Sequence, residues 1–227
     1  MKVERRRVSP LREPGVLVKP RLRGLTHLYA FYASLVMGAL LVLAAPGGRA
    51  RFAVGVYAVG LSGMLGASAL LHRGIWSAQA SKWLLRLDHS MIFVMIAGTY
   101  TPLALLALSS WVRPTVLIVA WGGTAFGILF ELGRDHLPPG WVTSVYVTIG
   151  WLGVLAMPQL WTALGPLGPS LIVGGGLFYT VGAIVHATHW PDPDPLVFGY
   201  HEVFHALVLV AALMHYACIA FVVLPKA

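Results

Sequence analysis

Two pairs of residues stand four apart in this chain, Ser68 with His72 and His201 with His205, and Asp88 falls between the pairs. Residues at i and i+4 of a helix share a face, with Cβ atoms about 5–6 Å apart. Two imidazoles so placed can close on one metal ion, and a third can come from another helix. Zinc takes histidine nitrogen at about 2.0–2.1 Å, and a hydrolytic zinc site usually holds three protein ligands and a water. His72, His201 and His205 would supply three ligands. Asp88 then has two open roles, as a fourth ligand that closes the site or as a base directed at the water. Ser68, one turn from His72, can hydrogen-bond Asp88 or that water and fix its direction.

These residues have to be brought together by elements that cross a membrane. Of 227 residues, 58% are hydrophobic and 11% charged, with a mean hydropathy of +0.77. A water-soluble domain carries about 25% charged residues, so an ordinary aqueous surface is excluded. Seven spans of about 20 apolar residues fit the length, and ten do not. The apolar runs are Leu25–Ala45, Phe52–Leu71, Trp83–Leu108, Val112–Leu132, Trp141–Trp161, Ser170–Ala187 and Phe198–Leu224. The expected fold is an all-α membrane protein, a seven-transmembrane helix bundle (25–227) behind a basic tail (1–24) that lacks the apolar run of a secretion signal. No periodic repeat or second domain is visible.

Charge sets the expected orientation. Lys and Arg number 16 against 8 acids, which in a soluble protein would indicate nucleic acid. Here no nucleic-acid partner is expected. With the N-terminus in the cytoplasm and the C-terminus outside, twelve basic residues lie on the cytoplasmic side and four opposite, as the positive-inside bias requires. The location is then the cell membrane, crossed several times, with lipids as partners. Under this orientation Ser68, His72, Asp88, His201 and His205 all fall at the cytoplasmic ends of their spans and share one depth. A charged side chain within a span costs about 2.5–3.5 kcal/mol at mid-bilayer on insertion scales, so such groups point to function.

The segments SALLHRG, LDHSMIFVMIAGTYTP and FGYHEVFHALVL resemble the signature segments of the bacterial hemolysin III family, related to the progestin and adipoQ receptors and more distantly to the alkaline ceramidases. The similarity runs from about Leu25 to Leu224 with seven helices in the same order. The resemblance implies a zinc bound by His72, His201 and His205, with Asp88 and Ser68 completing the site. It implies hydrolysis of a lipid amide or ester as the ancestral chemistry, and a site at headgroup depth would receive its lipid sideways from the bilayer. Leu71, where the family usually has Tyr, and His186, where it usually has an aromatic residue, depart from the pattern and bear on pocket shape. Two other readings accompany the resemblance: a receptor or regulator of membrane lipid state in which zinc is structural, and a cytolytic pore, which rests on the family's historical name alone.

The remaining polar residues receive blander expectations. Glu202 lies on another face from its flanking histidines and is assigned a headgroup or loop contact. His89 points away from Asp88 and is assigned a capping or interhelical bond. His186 and His189 are expected at the cytoplasmic interface rather than in a second metal site. Glu131 can pair with Arg134 or another helix. No constellation is evident for His27, His136 or His215. Pro102 should bend the third span, with Tyr100 and Thr101 free to satisfy carbonyls or reach substrate. Gly123 with Gly127, and Gly174–Gly176, should permit close helix contact. Cys218 is expected to pack, and Trp76, Trp83, Trp111, Trp141, Trp161 and Trp190 to form an interfacial belt.

Overall fold

Buried inside hydrocarbon, a backbone must satisfy its own hydrogen bonds, so apolar runs of this length fold as helices. A computed structural model of the chain, which describes residues 19–133 and 141–227, contains seven helical spans and no β-strand among the described residues. They are α1 (Leu25–Ala44), α2 (Gly48–Arg73), α3 (Ala78–Ala107), α4 (Val112–Leu132), a broken fifth span, α7 (Leu167–Thr188) and α8 (Tyr200–Cys218). The fifth span consists of α5 (Trp141–Trp151), a tight 3₁₀ turn at Leu152–Ala156, and α6 (Met157–Leu164). Beyond α8 the chain continues helically, widened at Ile219–Val223 and tightened at Leu224–Lys226.

Several helix ends differ from the edges of the apolar runs. The third helix begins at Ala78, five residues before Trp83, because Ser77 is its N-cap and its Oγ accepts the Ala80 amide. The last helix begins at Tyr200, where the Glu202 carboxylate accepts the Gly199 amide at 2.9 Å. Hydropathy marks where a span meets lipid, whereas capping chemistry decides where a helix stops.

Consecutive helices α1, α2, α3 and α4 pack in sequence, α7 packs on α8, and α1 closes against α8. Two cores run through the bundle, one around Tyr57, Leu61, Met95 and Ile219, the other around Leu103, Leu160 and Val223. Large apolar side chains such as Leu43, Val59, Ile118, Leu155 and Phe221 are exposed, as a lipid-facing surface requires. Trp76, Trp83, Trp111, Trp161 and Trp190 are also exposed near helix ends, while the side chain of Trp141 lies outside the described residues.

The small residues act as expected. A Cβ on Gly127 would lie 2.4 Å from the Phe93 ring, and one on Gly175 would lie 2.4 Å from His215. Cys218 is buried. Helix α3 runs on through Pro102, and the hydroxyls of Thr99 and Thr101 donate to the carbonyls of Met95 and Ala97.

Candidate metal centre

At one end of the bundle α2 finishes and α8 begins, and the structure brings their histidines together. His72 Nε2 and His201 Nε2 face each other at 3.1 Å. One nitrogen from each of His72, His201 and His205 lies within 4.8 Å of the other two. The ring centroids are 4.5–5.1 Å apart, and the rings are inclined to one another by 58–73°. A tetrahedral zinc with bonds of about 2.0–2.1 Å separates its ligand atoms by roughly 3.4 Å. With one pair of nitrogens at 3.1 Å, the third within 4.8 Å of both and the rings inclined, the three imidazoles can close on such an ion.

Asp88 joins the group from α3, its Oδ2 4.0 Å from His72 Nε2. Ser68, 3% exposed and one turn below His72, is within hydrogen-bonding reach of the Asp88 carboxylate. All five residues singled out by spacing and depth are thus assembled on α2, α3 and α8.

The histidines stand at the head of a cavity of about 330 Å³. Its walls include Asp88 through Leu103 on α3 and His201 through His215 on α8. At 1.5 Å per residue these stretches run about 21–22 Å along the bundle. The walls are mostly apolar beyond the histidines, with Ile92, Ile96, Met157 and Val208 among them. Tyr100 lines the same cavity; its hydroxyl donates to the Gly150 carbonyl and accepts the Gly153 amide at 2.9 Å. It thereby holds the broken span five against α3.

Other residues close the histidine end. Arg23 Nε donates to Glu202 Oε1 at 2.6 Å, and Glu202, 1% exposed, also caps α8. Of the headgroup or loop contact expected for Glu202, the structure shows the loop contact: Glu202 is an internal brace between Gly199 and Arg23. Residues just before α1, assigned to a tail, lie across the site. The Arg21 and Leu22 amides donate to the Leu196 and Val197 carbonyls, and Lys19 Nζ reaches the Gly74 carbonyl. Gly24 has φ 71°, and a Cβ there would lie 2.5 Å from the His72 Cβ, so only glycine lets the chain pass this close.

Two histidines set aside on sequence grounds belong to the site or its cavity. His27, 3% exposed, stacks on His205 with centroids 3.8 Å apart. His215 lines the far end of the cavity and faces the Ile172 carbonyl at 3.1 Å. His186, expected at the interface, lines the cavity with its ring 5.5 Å from His201, while His189 ends α7 and packs on Tyr200. His89 Nδ1 pairs with Glu131 Oε1 at 3.3 Å, an interhelical bond as expected. The alternative partner of Glu131, Arg134, lies outside the described residues, as does His136. A signal for His27 was present, since the start of span one has the same depth as His72 and His201.

Comparison with known proteins follows the same geometry. The family model for haemolysin-III-related proteins matches residues 16–216. Hemolysin-3 of Bacillus cereus is 36% identical over 172 residues, covering 76% of this chain and 75% of that protein. A Hemolysin-3 homolog of Bacillus subtilis (strain 168) is 33% identical over 154 residues, covering 68% and 69%. The heptahelical transmembrane protein ADIPOR2 of Oryza sativa subsp. japonica is 30% identical over 182 residues, covering 72% and 79%. The chain belongs to the haemolysin-III-related family and is a multi-pass membrane protein.

Proposed function

We propose that this haemolysin-III-related membrane protein is a zinc-dependent hydrolase of a lipid amide or ester bond, working near the cytoplasmic face of the cell membrane. The observation that carries the reading is the convergence of three histidine nitrogens within 4.8 Å, beside a carboxylate, at the head of a long apolar cavity. His72, His201 and His205 would hold the ion. Zinc bound there would supply Lewis-acid polarisation of a carbonyl and would lower the pKa of water at the site from about 15.7 towards 7.

The chain's own residues account for the rest. Asp88 accepts a proton from water and returns it to the leaving nitrogen or oxygen of the substrate. Ser68 holds the carboxylate in position, and Asp88 therefore serves as base rather than fourth ligand in this reading. The apolar walls exclude bulk water and suit an acyl chain lying along the bundle. Gly150 and Val154 line the cavity and are themselves exposed, which supports access of lipid sideways from the bilayer. The excess of Lys and Arg supports the N-terminus-in orientation.

A second reading retains one observation in its favour. The three histidines come from α2 and α8, so a purely structural metal would tie the second span to the seventh in a receptor or regulator of membrane lipids. Asp88→Asn separates the two. Released fatty acid, measured by mass spectrometry on purified protein in lipid vesicles, should fall at least about 100-fold, while bound zinc stays near the wild-type level. Undiminished release by Asp88→Asn would remove the carboxylate from the chemistry, and wild-type protein that releases nothing from amide or ester lipids would favour the structural metal. Dye leakage from the same vesicles would instead indicate a pore.

A further inference from the structure

The proposed chemistry leaves one buried imidazole of this end of the bundle unused. His27 sits in the first turn of α1, beside the His205 backbone, and neither its Nδ1 nor its Nε2 makes a well-formed hydrogen bond among the described residues. Polar atoms buried without partners are destabilising, a cost that an aliphatic side chain of similar size would avoid. What the ring does make is a close stacking contact: it lies flat on His205, centroids 3.8 Å apart and planes 6° from parallel.

That orientation rules out a fourth histidine ligand. The lone pairs of an imidazole lie in its ring plane, so in two parallel rings they run side by side and never converge on one ion. The rings of His72 and His201 are each inclined 58° to His205, which does permit convergence. His27 therefore stands behind His205 rather than beside it.

His205 needs such a support. A metal-bound histidine ordinarily donates its other N–H to a carboxylate, carbonyl or water, which fixes the ring's direction. With Nε2 as the ligand atom of His205, its Nδ1 is the nitrogen such a bond would use, and that nitrogen is buried without a hydrogen-bond partner among the described residues. Its ring is touched by the faces and edges of His27, His72, His201 and Phe204. We propose that His27 is a positioning residue that holds the His205 ring in its metal-facing direction by face-to-face stacking, in place of the usual hydrogen bond. The proposal rests on His72, His201 and His205 being metal ligands.

The test compares wild type, His27→Phe and His27→Leu, purified in detergent and stripped of metal. Zinc affinity is read by competition with a chromophoric chelator, and the site geometry by the visible spectrum of the cobalt(II)-loaded protein. His27→Phe keeps a flat ring without nitrogens and should bind and absorb like wild type. His27→Leu fills the space without stacking; it should bind about 10–100-fold more weakly and shift the cobalt bands. A merely structural role would lower the melting temperature of the metal-free protein without moving those bands. Tight zinc binding and an unshifted spectrum in His27→Leu would overturn the proposal, as would a loss in His27→Phe equal to that in His27→Leu, which would assign a role to the nitrogens. If His27→Leu does not fold, His27→Met makes the same comparison. Wild type that binds no zinc would defeat the ligand reading and this inference together, whereas zinc in wild type with an indifferent position 27 would defeat this inference alone.

Discussion

Glu202 stands between His201 and His205 of α8 and serves neither. Its carboxylate caps the Gly199 amide and receives Arg23 at 2.6 Å, so its work is to fasten the start of α8 to the chain that precedes α1. In Glu202→Gln the amide oxygen still accepts the capping bond, but the charge opposite Arg23 is gone. The expected result is a loss of about 1–3 kcal/mol in stability, read by thermal unfolding in detergent, with zinc content unchanged. Zinc lost from folded Glu202→Gln would make this residue a ligand after all. The same scale explains what sequence could reveal. Ser68 with His72 and His201 with His205 were legible because each pair shares one helix face. Arg23 was not, because its partner lies 179 positions away, and His27, 178 positions from its partner, carried a signal of depth but none of spacing.

At the scale of helices, the spans were legible from hydropathy but the interruption of the fifth was not. The run from Trp141 to Trp161 is apolar on average despite Thr143, Ser144, Thr148, Pro158 and Gln159, and nothing in a hydropathy profile distinguishes an unbroken helix from α5, the tight turn at Leu152–Ala156 and α6. The break has a visible anchor in Tyr100, whose hydroxyl bridges the Gly150 carbonyl and the Gly153 amide. Helices α2 and α3, which carry Ser68, His72 and Asp88, meet through Gly60 and Gly98. A Cβ on Gly98 would lie 3.5 Å from the Val56 carbonyl and 3.7 Å from the Tyr57 Cα. These are ordinary contacts against backbone that cannot swing aside. Gly98→Ala should therefore fold with little change in melting temperature, whereas Gly98→Leu should be destabilised by about 1–3 kcal/mol or more. Equal melting temperatures for the two would show that α2 and α3 are not held this closely.

For the molecule as a whole, the shortage of charge that excludes an aqueous fold also concentrates meaning in the few charges kept within the spans. Among the described residues, Asp88 pairs with His72, Glu131 with His89, and Glu202 with Arg23, all at the end where α2 finishes and α8 begins. The long cavity below them and the chain laid across them were invisible in sequence, since both arise from how seven helices fit together rather than from any one of them. The account stands or falls on the histidine triad as a metal centre. The most direct measurement is zinc per chain, by inductively coupled plasma mass spectrometry, in purified wild type and in folded His72→Ala and His205→Ala. The account predicts close to one zinc per wild-type chain and little in either variant. Zinc absent from wild type, or retained in full by both variants, would contradict it.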